Sequence, residues 1–281
     1  MQCPSFSLPS GEGWGRASIM KKLKNILLWV VLGGYLITIL GFVAEMRDRI
    51  VCKGIEVNVV NDEMNRFIKK EDIKKVLDKY KLKMIGIPID SVNTFMAEQL
   101  ISKNPAVYNV AAYTTIDGLF KVKVEQRQPI LRVINKNLQQ YYIDDKAQVI
   151  PMRTNYTSYT LVANGNIDEP FDVSASRNIF PLKKDTILVP NILYDLYYVA
   201  IYIHRDDFWR SQIEQLYVDS HLDIRLIPRV GSQIIIFGKG IDIDEKFKKL
   251  KAMYRTFNQI GWNQYKTINL KYKEQVVCTK R

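Results

Sequence analysis

The sequence predicts an α+β protein with a single N-terminal transmembrane helix, then a β-α-α-β-β module, and then a larger, mostly antiparallel β domain with helices packed on it. Three observations predict this arrangement. A run without charged residues lies near the N-terminus, two amphipathic helix patterns and an Asp-Gly hairpin follow it, and the rest is a series of short strands separated by turns. We expect residues 1–25 to be a short tail, residues 26–44 the span, residues 55–128 the module and residues 129–277 the β domain.

The apolar run begins at Ile26 and ends at Ala44, and its 19 residues carry no charge. As a helix it would be about 28 Å long, close to the thickness of the hydrocarbon core of a bilayer. A cleaved signal peptide would have a shorter apolar region and small residues at its cleavage site, and the core helix of a soluble protein would carry a polar stripe. The run shows none of these features, so we interpret it as a membrane anchor in preference to the two alternatives.

The residues that flank this run predict its orientation. Lys21, Lys22 and Lys24 precede it without an acidic residue, whereas Arg47 and Arg49 after it alternate with acids. This bias favours a short N-terminal tail on the inner side of the membrane, with the large C-terminal part outside. Because Met20 directly precedes the lysines, we interpret it as the true start and residues 1–19 as a translation-start artefact without a fold of their own. A genuine disordered tail is the alternative.

The net charge of +12, with a pI near 9.4, raises the question of a nucleic-acid partner. The Lys and Arg residues are scattered along the chain, with no Arg-rich run and no zinc-finger or RNP-like motif, so we predict no such partner. Attraction to anionic lipid headgroups or to an anionic wall polymer explains the excess equally well. Three cysteines are too few for a disulfide framework. We expect Cys52 and Cys278 to be isolated thiols, with a bridge between them as the alternative.

Residues 55–128 show the pattern of a small sheet covered by two helices. Residues 55–60 alternate like a strand, and a second and third strand are joined at Asp117-Gly118, a strong hairpin signal. The first helix should bury one face, made of Ile73, Val76, Leu77 and Tyr80. The second should begin at a cap on Asp90 or Ser91 and bury Val92, Phe95, Met96 and Leu100.

The pattern in residues 129–277 predicts a series of short strands. Turns are expected at residues 135–137, 144–145 and 164–165, and three more strands between residues 213 and 238. Helices are predicted at residues 191–205 and 244–259. The second helix should pack Phe247, Leu250, Tyr254 and Phe257 on the sheet, with Lys246, Lys248, Lys249, Lys251 and Arg255 on its polar face. One final strand is expected over residues 267–277.

Nothing in the sequence predicts an enzyme, a cofactor or a small-molecule substrate. The two histidines, His204 and His221, are not at metal-ligand spacing, and there is no G-x-S-x-G, HExxH or P-loop motif. His204 ends a predicted helix and is expected on the surface. The acidic pairs 144–145, 168–169 and 206–207 fall at turns or helix ends, where solvated residues are expected. The sequon at Asn155 is too common a motif to indicate glycosylation.

Residues 104–133 carry a run, Gln126-Arg127-Gln128-Pro129-Ile130-Leu131, that resembles the junction of the FtsQ/DivIB cell-division proteins. The family has Glu where this chain has Gln126, and Ala where it has Leu131. The end of the chain is similar to the family's I-D-L-R-Y-x-x-Q-V-V ending, with Asn269 in place of Asp and Lys271 in place of Arg. The same order of tail, span, module and β region covers nearly the whole chain from Met20.

This resemblance implies a non-catalytic bitopic scaffold of the divisome, located at the septum, whose outer part is a POTRA domain followed by a β domain. It further implies partners of the FtsB and FtsL type bound through the last strand and the preceding helix, and other divisome components such as FtsK. The alternative is a POTRA-bearing envelope protein that serves polypeptide translocation or holds a wall polymer. A barrel-forming series of strands, expected of outer-membrane POTRA proteins, does not follow.

A strand at the end of a chain is a natural sheet edge, and an exposed edge can take a strand from a partner through main-chain hydrogen bonds. We therefore predict a partner-binding strand with helix 244–259 beside it. Its residues are Tyr265, Ile268, Leu270, Lys271, Tyr272 and Gln275.

Overall fold

The computed structural model describes residues 14–48, 50–60, 66–80, 84–153, 156–169, 178–180 and 191–281. The chain divides into two compact units. The first unit comprises Met1–Ile55, Lys83–Val92 and Thr114–Phe120, and the second comprises Glu56–Leu82, Asn93–Tyr113 and Lys121–Arg281. Asn155 of the sequon lies outside the described residues.

Helix α1 comprises Trp14–Asp48 and contains one segment, Leu23–Phe42, that is long and apolar enough to cross a membrane. None of this segment is buried within the protein. The helix extends beyond the predicted run of residues 26–44 at its N-terminal end, because the lysines before it are good helix formers. Residues 1–19 were expected to have no fold of their own, and this expectation is wrong for residues 14–19, which belong to α1. Residues 1–13 lie outside the described part of the chain.

The module has the predicted β-α-α-β-β order. Its elements are β1 Gly54–Val60, α2 Lys70–Lys79, a 3₁₀ turn at Ile89–Ser91, α3 Thr94–Ser102, β2 Val107–Thr114 and β3 Leu119–Gln126. The three strands form a sheet in the order β1-β3-β2. The predicted hairpin turn is confirmed, since Gly118 has φ +82° and a Cβ there would meet the carbonyl oxygen of Val51 at 2.6 Å. Phe120, Val122 and Val124 are buried, as their alternation predicts.

The predicted start of the second module helix is wrong. Asn93 caps α3, because its Oδ1 accepts the N–H of Met96 at 2.9 Å, and residues 89–91 form the separate 3₁₀ turn. The buried face of α3 consists of Ala97, Leu100 and Ile101, whereas Phe95 and Met96, which were predicted on that face, are exposed. In the first helix, Ile73 and Leu77 are buried as predicted, but α2 ends at Lys79 and Tyr80 is exposed.

The β domain contains one large sheet. Its strands are β4 Pro129–Ile134, β5 Gln140–Asp144, β6 Val149–Pro151, β7 Leu161–Gly165, β8 Ile213–Val218, β9 Ile224–Pro228, β10 Ile234–Gly238, β11 Tyr265–Asn269 and β12 Val277–Lys280. They lie in the order β12-β11-β10-β9-β8-β7-β4-β5-β6. Antiparallel pairs predominate, and the parallel pairs are β4 with β7, β7 with β8 and β10 with β11. The domain is therefore mostly antiparallel, as predicted.

Helices α4 Ile192–Arg205, α5 Asp207–Gln212 and α6 Ile243–Ile260 pack on this sheet. A single hydrophobic core joins the inward-facing strand residues to Leu196, Val199 and Ile203 of α4 and to Phe247 and Leu250 of α6. Both long helices begin within one residue of their predicted starts. The strong helical periodicity of their apolar residues explains this agreement.

Asp144 was expected to be a solvated turn residue, and this expectation is wrong. Its carboxylate is fully buried, accepts the N–H groups of Lys146 and Gln148, and pairs with the guanidinium of Arg127 at 2.7 Å. A local turn is present, but the cation comes from a residue 17 positions earlier in the chain. A buried carboxylate requires such partners, since an unpaired buried charge is strongly destabilising.

Candidate partner-binding edge

Helix α6 supports the far end of the large sheet. It connects β10 to the parallel strand β11, which is the usual role of a crossover helix. Phe247, Leu250, Tyr254 and Phe257 are buried against the sheet, so the predicted apolar face is confirmed. The burial of Tyr254 raises the pKa of its hydroxyl to about 12.

Lys246 was predicted on the polar face of α6, and this is wrong. The side chain is buried, and its ammonium donates to the carbonyl oxygen of Lys239 at 2.8 Å and lies 4.7 Å from the centre of the Phe237 ring. Burial lowers the pKa of Lys246, because removal from water disfavours the charged form. The side chain thus serves to join α6 to the β10–α6 connection.

Strand β11 is an interior strand of the sheet. It pairs in parallel with β10, where Ile268 lies opposite Ile235, and antiparallel with β12, where Ile268 lies opposite Cys278. The single terminal strand predicted over residues 267–277 is therefore wrong. The chain instead turns after β11 and returns as the short strand β12, so that β11 has no free side.

Strand β12 is the edge of the sheet, and no other described strand pairs with its opposite side. The N–H and C=O groups of successive strand residues point to alternate sides. The N–H of Leu270 donates to the carbonyl oxygen of Ile236 on β10, and the N–H of Arg281 donates to the carbonyl oxygen of Gln264. Counting back from Arg281 in steps of two, Thr279 and Val277 direct their N–H and C=O groups towards β11. Lys280 and Cys278 direct theirs to the opposite, unpaired side of β12.

Two lysines hold the connection between β11 and β12. The ammonium of Lys271 lies 2.6 Å from the carboxylate of Asp223, in the β8–β9 turn, and that of Lys249 on α6 donates to the carbonyl oxygen of Tyr272 at 2.7 Å. The hydrogen bond to Asp223 raises the pKa of Lys271. Glu274 then adopts φ +59°, in the left-handed region, where the chain turns towards β12.

The β8–β9 turn that holds Lys271 is itself tightly bonded. Asp219 is nearly buried, which opposes its ionisation, but its carboxylate accepts the N–H groups of Asp223 and His221 and pairs with Arg225 at 2.9 Å. These bonds outweigh the effect of burial and lower the pKa of Asp219. The turn is thereby a fixed support for the connection that precedes β12.

The six residues predicted to bind a partner occupy three different environments. Ile268 and Leu270 are fully buried in the core, and Tyr265 is partly buried and packs 5.9 Å from the ring of Phe257. Lys271, Tyr272 and Gln275 are exposed in the connection between β11 and β12. The structure thus keeps Ile268 and Leu270 inside the fold, and the edge itself lies further along the chain.

Sequence reasoning missed the residues that form and support this edge, namely Asp223, Lys249, Cys278 and Lys280. No Gly, Pro or Asn-Gly pair marks the turn in residues 270–276, which is why one strand was predicted there. The pattern of apolar Val276 and Val277 after several polar residues was the only available signal.

Exposed basic residues surround β12. They are Lys266, Lys273, Lys280 and Arg281. Cys278 is a free, partly buried thiol whose burial raises its pKa, and Cys52 is likewise free and is buried. The thiol of Cys278 packs against the hydrophobic core, whereas its main-chain N–H and C=O groups face the unpaired side of β12. Lys and Arg on an edge limit unspecific strand pairing, and they favour a partner that brings acidic groups.

His204 is not simply a surface residue. It is partly buried at the end of α4, and its burial, followed by the nearby Arg210, lowers its pKa. Within the described residues, no cluster of His, Cys, Asp and Glu side chains has a metal-binding arrangement.

Two family models match the chain. A model described as "FtsQ/DivIB, C-terminal related" matches residues 128–279, which is more than half of the 281 residues, and a "POTRA-like domain" matches residues 50–125. The chain belongs to the FtsQ/DivIB family. No curated protein in a separate comparison matches this FtsQ/DivIB chain. A POTRA-like region within this family indicates a division-associated scaffold that works with other division proteins.

The junction run of this FtsQ/DivIB chain is a set of buried contacts. The side-chain oxygen of Gln126 accepts the N–H of Ile68 at 2.9 Å. Arg127 donates from its Nε to the carbonyl oxygen of Pro105 at 3.1 Å and pairs with Asp144 on the other side. Arg127 therefore bonds both the α3–β2 loop and the β5–β6 turn. A planar guanidinium suits this position because it presents several N–H donors in fixed directions and can bond two groups at once.

Proposed function

We propose that this FtsQ/DivIB chain is a non-catalytic, bitopic scaffold of the bacterial divisome that binds FtsB- and FtsL-type partners by strand addition to β12. One observation carries the proposal: β12 ends a large sheet and pairs only with β11 among the described strands. Such an edge has main-chain donors and acceptors for an added strand.

The geometry of the edge specifies how a partner strand would bind. The outward N–H and C=O groups of Cys278 and Lys280 would bond its main chain, at about 0.5–1.5 kcal/mol for each hydrogen bond. Four residues provide few such bonds, so side chains must contribute the remainder. Tyr272 and Val277 are 48% and 44% exposed next to the strand and provide apolar contact area. We retain Lys271, Tyr272 and Gln275 as contacts and add Val277, Cys278 and Lys280.

The proposed location follows from the anchor. The segment Leu23–Phe42 would cross the inner membrane once, with the N-terminus in the cytoplasm and the POTRA-like and β regions outside, at the septum. A scaffold attached in this way would bring partners to the division site without performing chemistry of its own.

The test is co-purification of the full chain from membranes with tagged FtsB- and FtsL-type proteins. The variant Tyr272→Ala should reduce capture, whereas Tyr159→Ala, which removes an equally aromatic and more exposed side chain in another loop, should not. A fluorescent fusion should concentrate at the division site. Equal capture by both variants would remove the edge assignment, and a uniform envelope signal in dividing cells would remove the divisome role.

A second candidate function is capture of extended client polypeptides by the POTRA-like region. It is favoured by a groove of about 530 Å³ between α3 and β2, whose lining includes Phe95, Glu98 and Tyr108. β2 lies at one end of its sheet, so its outer side could take a client strand. The Glu98 carboxylate accepts the N–H of Ala112 on this side at 2.7 Å, and a client strand would have to displace that bond. The same localisation experiment separates the two functions, because a translocation protein has no reason to concentrate at the septum.

A further inference from the structure

The chain that leaves the membrane-spanning helix is pinned at once by main-chain hydrogen bonds. The carbonyl oxygen of Ile50 accepts the N–H of Ile89 at 3.0 Å, and the N–H of Cys52 donates to Ile87 at 2.8 Å. The N–H of Lys53 donates to Gly118 at 2.7 Å. Helix α1 also contacts the 3₁₀ turn Ile89–Ser91. All of these residues belong to the first compact unit, so the loop and the hairpin tip are fixed to the anchor.

This pinned segment lies close to the bilayer surface. The apolar segment ends at Phe42 and α1 continues to Asp48, which adds about 9 Å at the helical rise of 1.5 Å per residue. The headgroup layer is about 5–7 Å thick on each side of the hydrocarbon core, and the common helix tilt of about 20° brings the segment nearer to it. Residues 50–53 therefore leave α1 at the level of the headgroups or just above them.

Three apolar side chains at this level are exposed. Ile116 in the β2–β3 turn is 85% exposed, Ile85 in the loop before the 3₁₀ turn is 63% exposed, and Val51 between them is 42% exposed. We call these three residues the anchor-proximal rim. A turn next to Asp117-Gly118 normally carries polar residues, and an isoleucine there gains nothing from exposure to water.

We propose that the anchor-proximal rim rests in the interface of the same bilayer that α1 crosses, with Ile85 and Ile116 at the boundary of headgroups and acyl chains. The anchor-proximal rim lies next to the end of the helix that crosses the bilayer. The surface that covers the rim is therefore the lipid of that same bilayer. The exposed Lys53 beside it is placed to attract anionic headgroups. This second contact would hold the first unit at a fixed inclination on the membrane. The inference rests on the proposed membrane anchoring.

The test uses the full chain in vesicles of phosphatidylethanolamine and phosphatidylglycerol with brominated acyl chains, which quench a fluorophore in contact with them. Cys3→Ser and Cys278→Ser leave the buried Cys52 as the remaining native thiol. A polarity-sensitive fluorophore is then attached in separate variants at Ile116→Cys and Ile85→Cys. Leu138→Cys is the matched control, because Leu138 is 77% exposed but lies outside the first unit. Ile37→Cys within the apolar segment reports insertion of the anchor.

We expect about twofold or greater quenching at positions 85 and 116 relative to position 138, as for side chains at the acyl boundary. Adding Ile116→Asp should reduce the quenching at position 85. Quenching at position 37 without excess quenching at 85 and 116 would overturn the rim and leave the anchor intact. Absence of quenching at position 37 would overturn the proposed anchoring and the rim together.

Discussion

Strands β11 and β12 are neighbours in the chain and in the sheet, but their environments are opposite. β11 is paired on both sides and buries Ile268, whereas β12 is paired on one side and exposes Val277. A strand with two partners has its main-chain groups satisfied within the fold and contributes to stability. A strand with one partner has main-chain groups available for recognition. The turn between β11 and β12 thus assigns stability to β11 and recognition to β12, two roles that a single terminal strand would have had to combine.

The largest expected difference between the two strands is in stability. Ile268→Ala should lower the free energy of unfolding by about 2–5 kcal/mol, because it leaves a cavity in the core. Val277→Ala on the edge should change it by about 0.5 kcal/mol or less. Urea unfolding of the purified chain measures both values. Equal losses would contradict the division into an interior strand and an edge strand.

The connection between the strands should be the next most sensitive point. Lys249→Met removes the ammonium that bonds the carbonyl oxygen of Tyr272, and should cost about 1.5–3 kcal/mol, typical of a hydrogen bond to a charged group. Partner capture should fall as well, since β12 loses its support. Lys248→Met is the matched control on the same helix, because Lys248 is exposed and forms an ion pair with its helix neighbour Asp244, away from the connection.

Capture and stability can be separated on β12 itself. Lys280→Pro removes an outward N–H, and should weaken partner binding by about 2- to 13-fold, the equivalent of one hydrogen bond of 0.5–1.5 kcal/mol. Proline is tolerated on an edge strand, so unfolding should change little. Lys280→Ala keeps the N–H and tests the charge alone. Binding by Lys280→Pro that equals binding by Lys280→Ala would exclude strand addition at this position.

The smallest expected effect is the pH dependence of the turn that supports the connection. The folded pKa of Asp219 lies below its ordinary value of 3.8, so the stability that it contributes is complete above that value and is lost as the pH falls through the folded pKa. Asp219→Asn should therefore flatten the acid limb of the unfolding free energy against pH. Arg225→Met should flatten it partly. An acid limb unchanged by both variants would show that this turn does not titrate as described.

Local patterns predicted the helices and most of the strands because burial follows the period of the apolar residues. Helix α6 and the hairpin at Gly118 are examples, since the first has a repeating apolar face and the second has a turn that needs a glycine. The start of α3 was harder, because Asn93 competes with Asp90 and Ser91 as a cap and the local sequence does not rank them.

The sequence predicted a sheet edge formed by one strand over residues 267–277, whereas in the structure the edge strand is β12 and β11 lies inside the sheet. Nothing local in residues 270–276 indicates the turn at Glu274, which depends on Leu270 entering the core and on Lys271 reaching Asp223, 48 residues away. Asp144 presents the same difficulty, since its burial depends on Arg127.

The sequence alone determined that this protein has one apolar helix long enough for a membrane, a β-α-α-β-β module, and a β region whose α6 packs a fixed face on the sheet. It did so because these features depend on residues within a few turns or strand positions of one another. Only the tertiary structure decided that β11 lies inside the sheet and β12 at its edge. Strand order depends on pairings and ion pairs between residues far apart in the chain, and no local period encodes them.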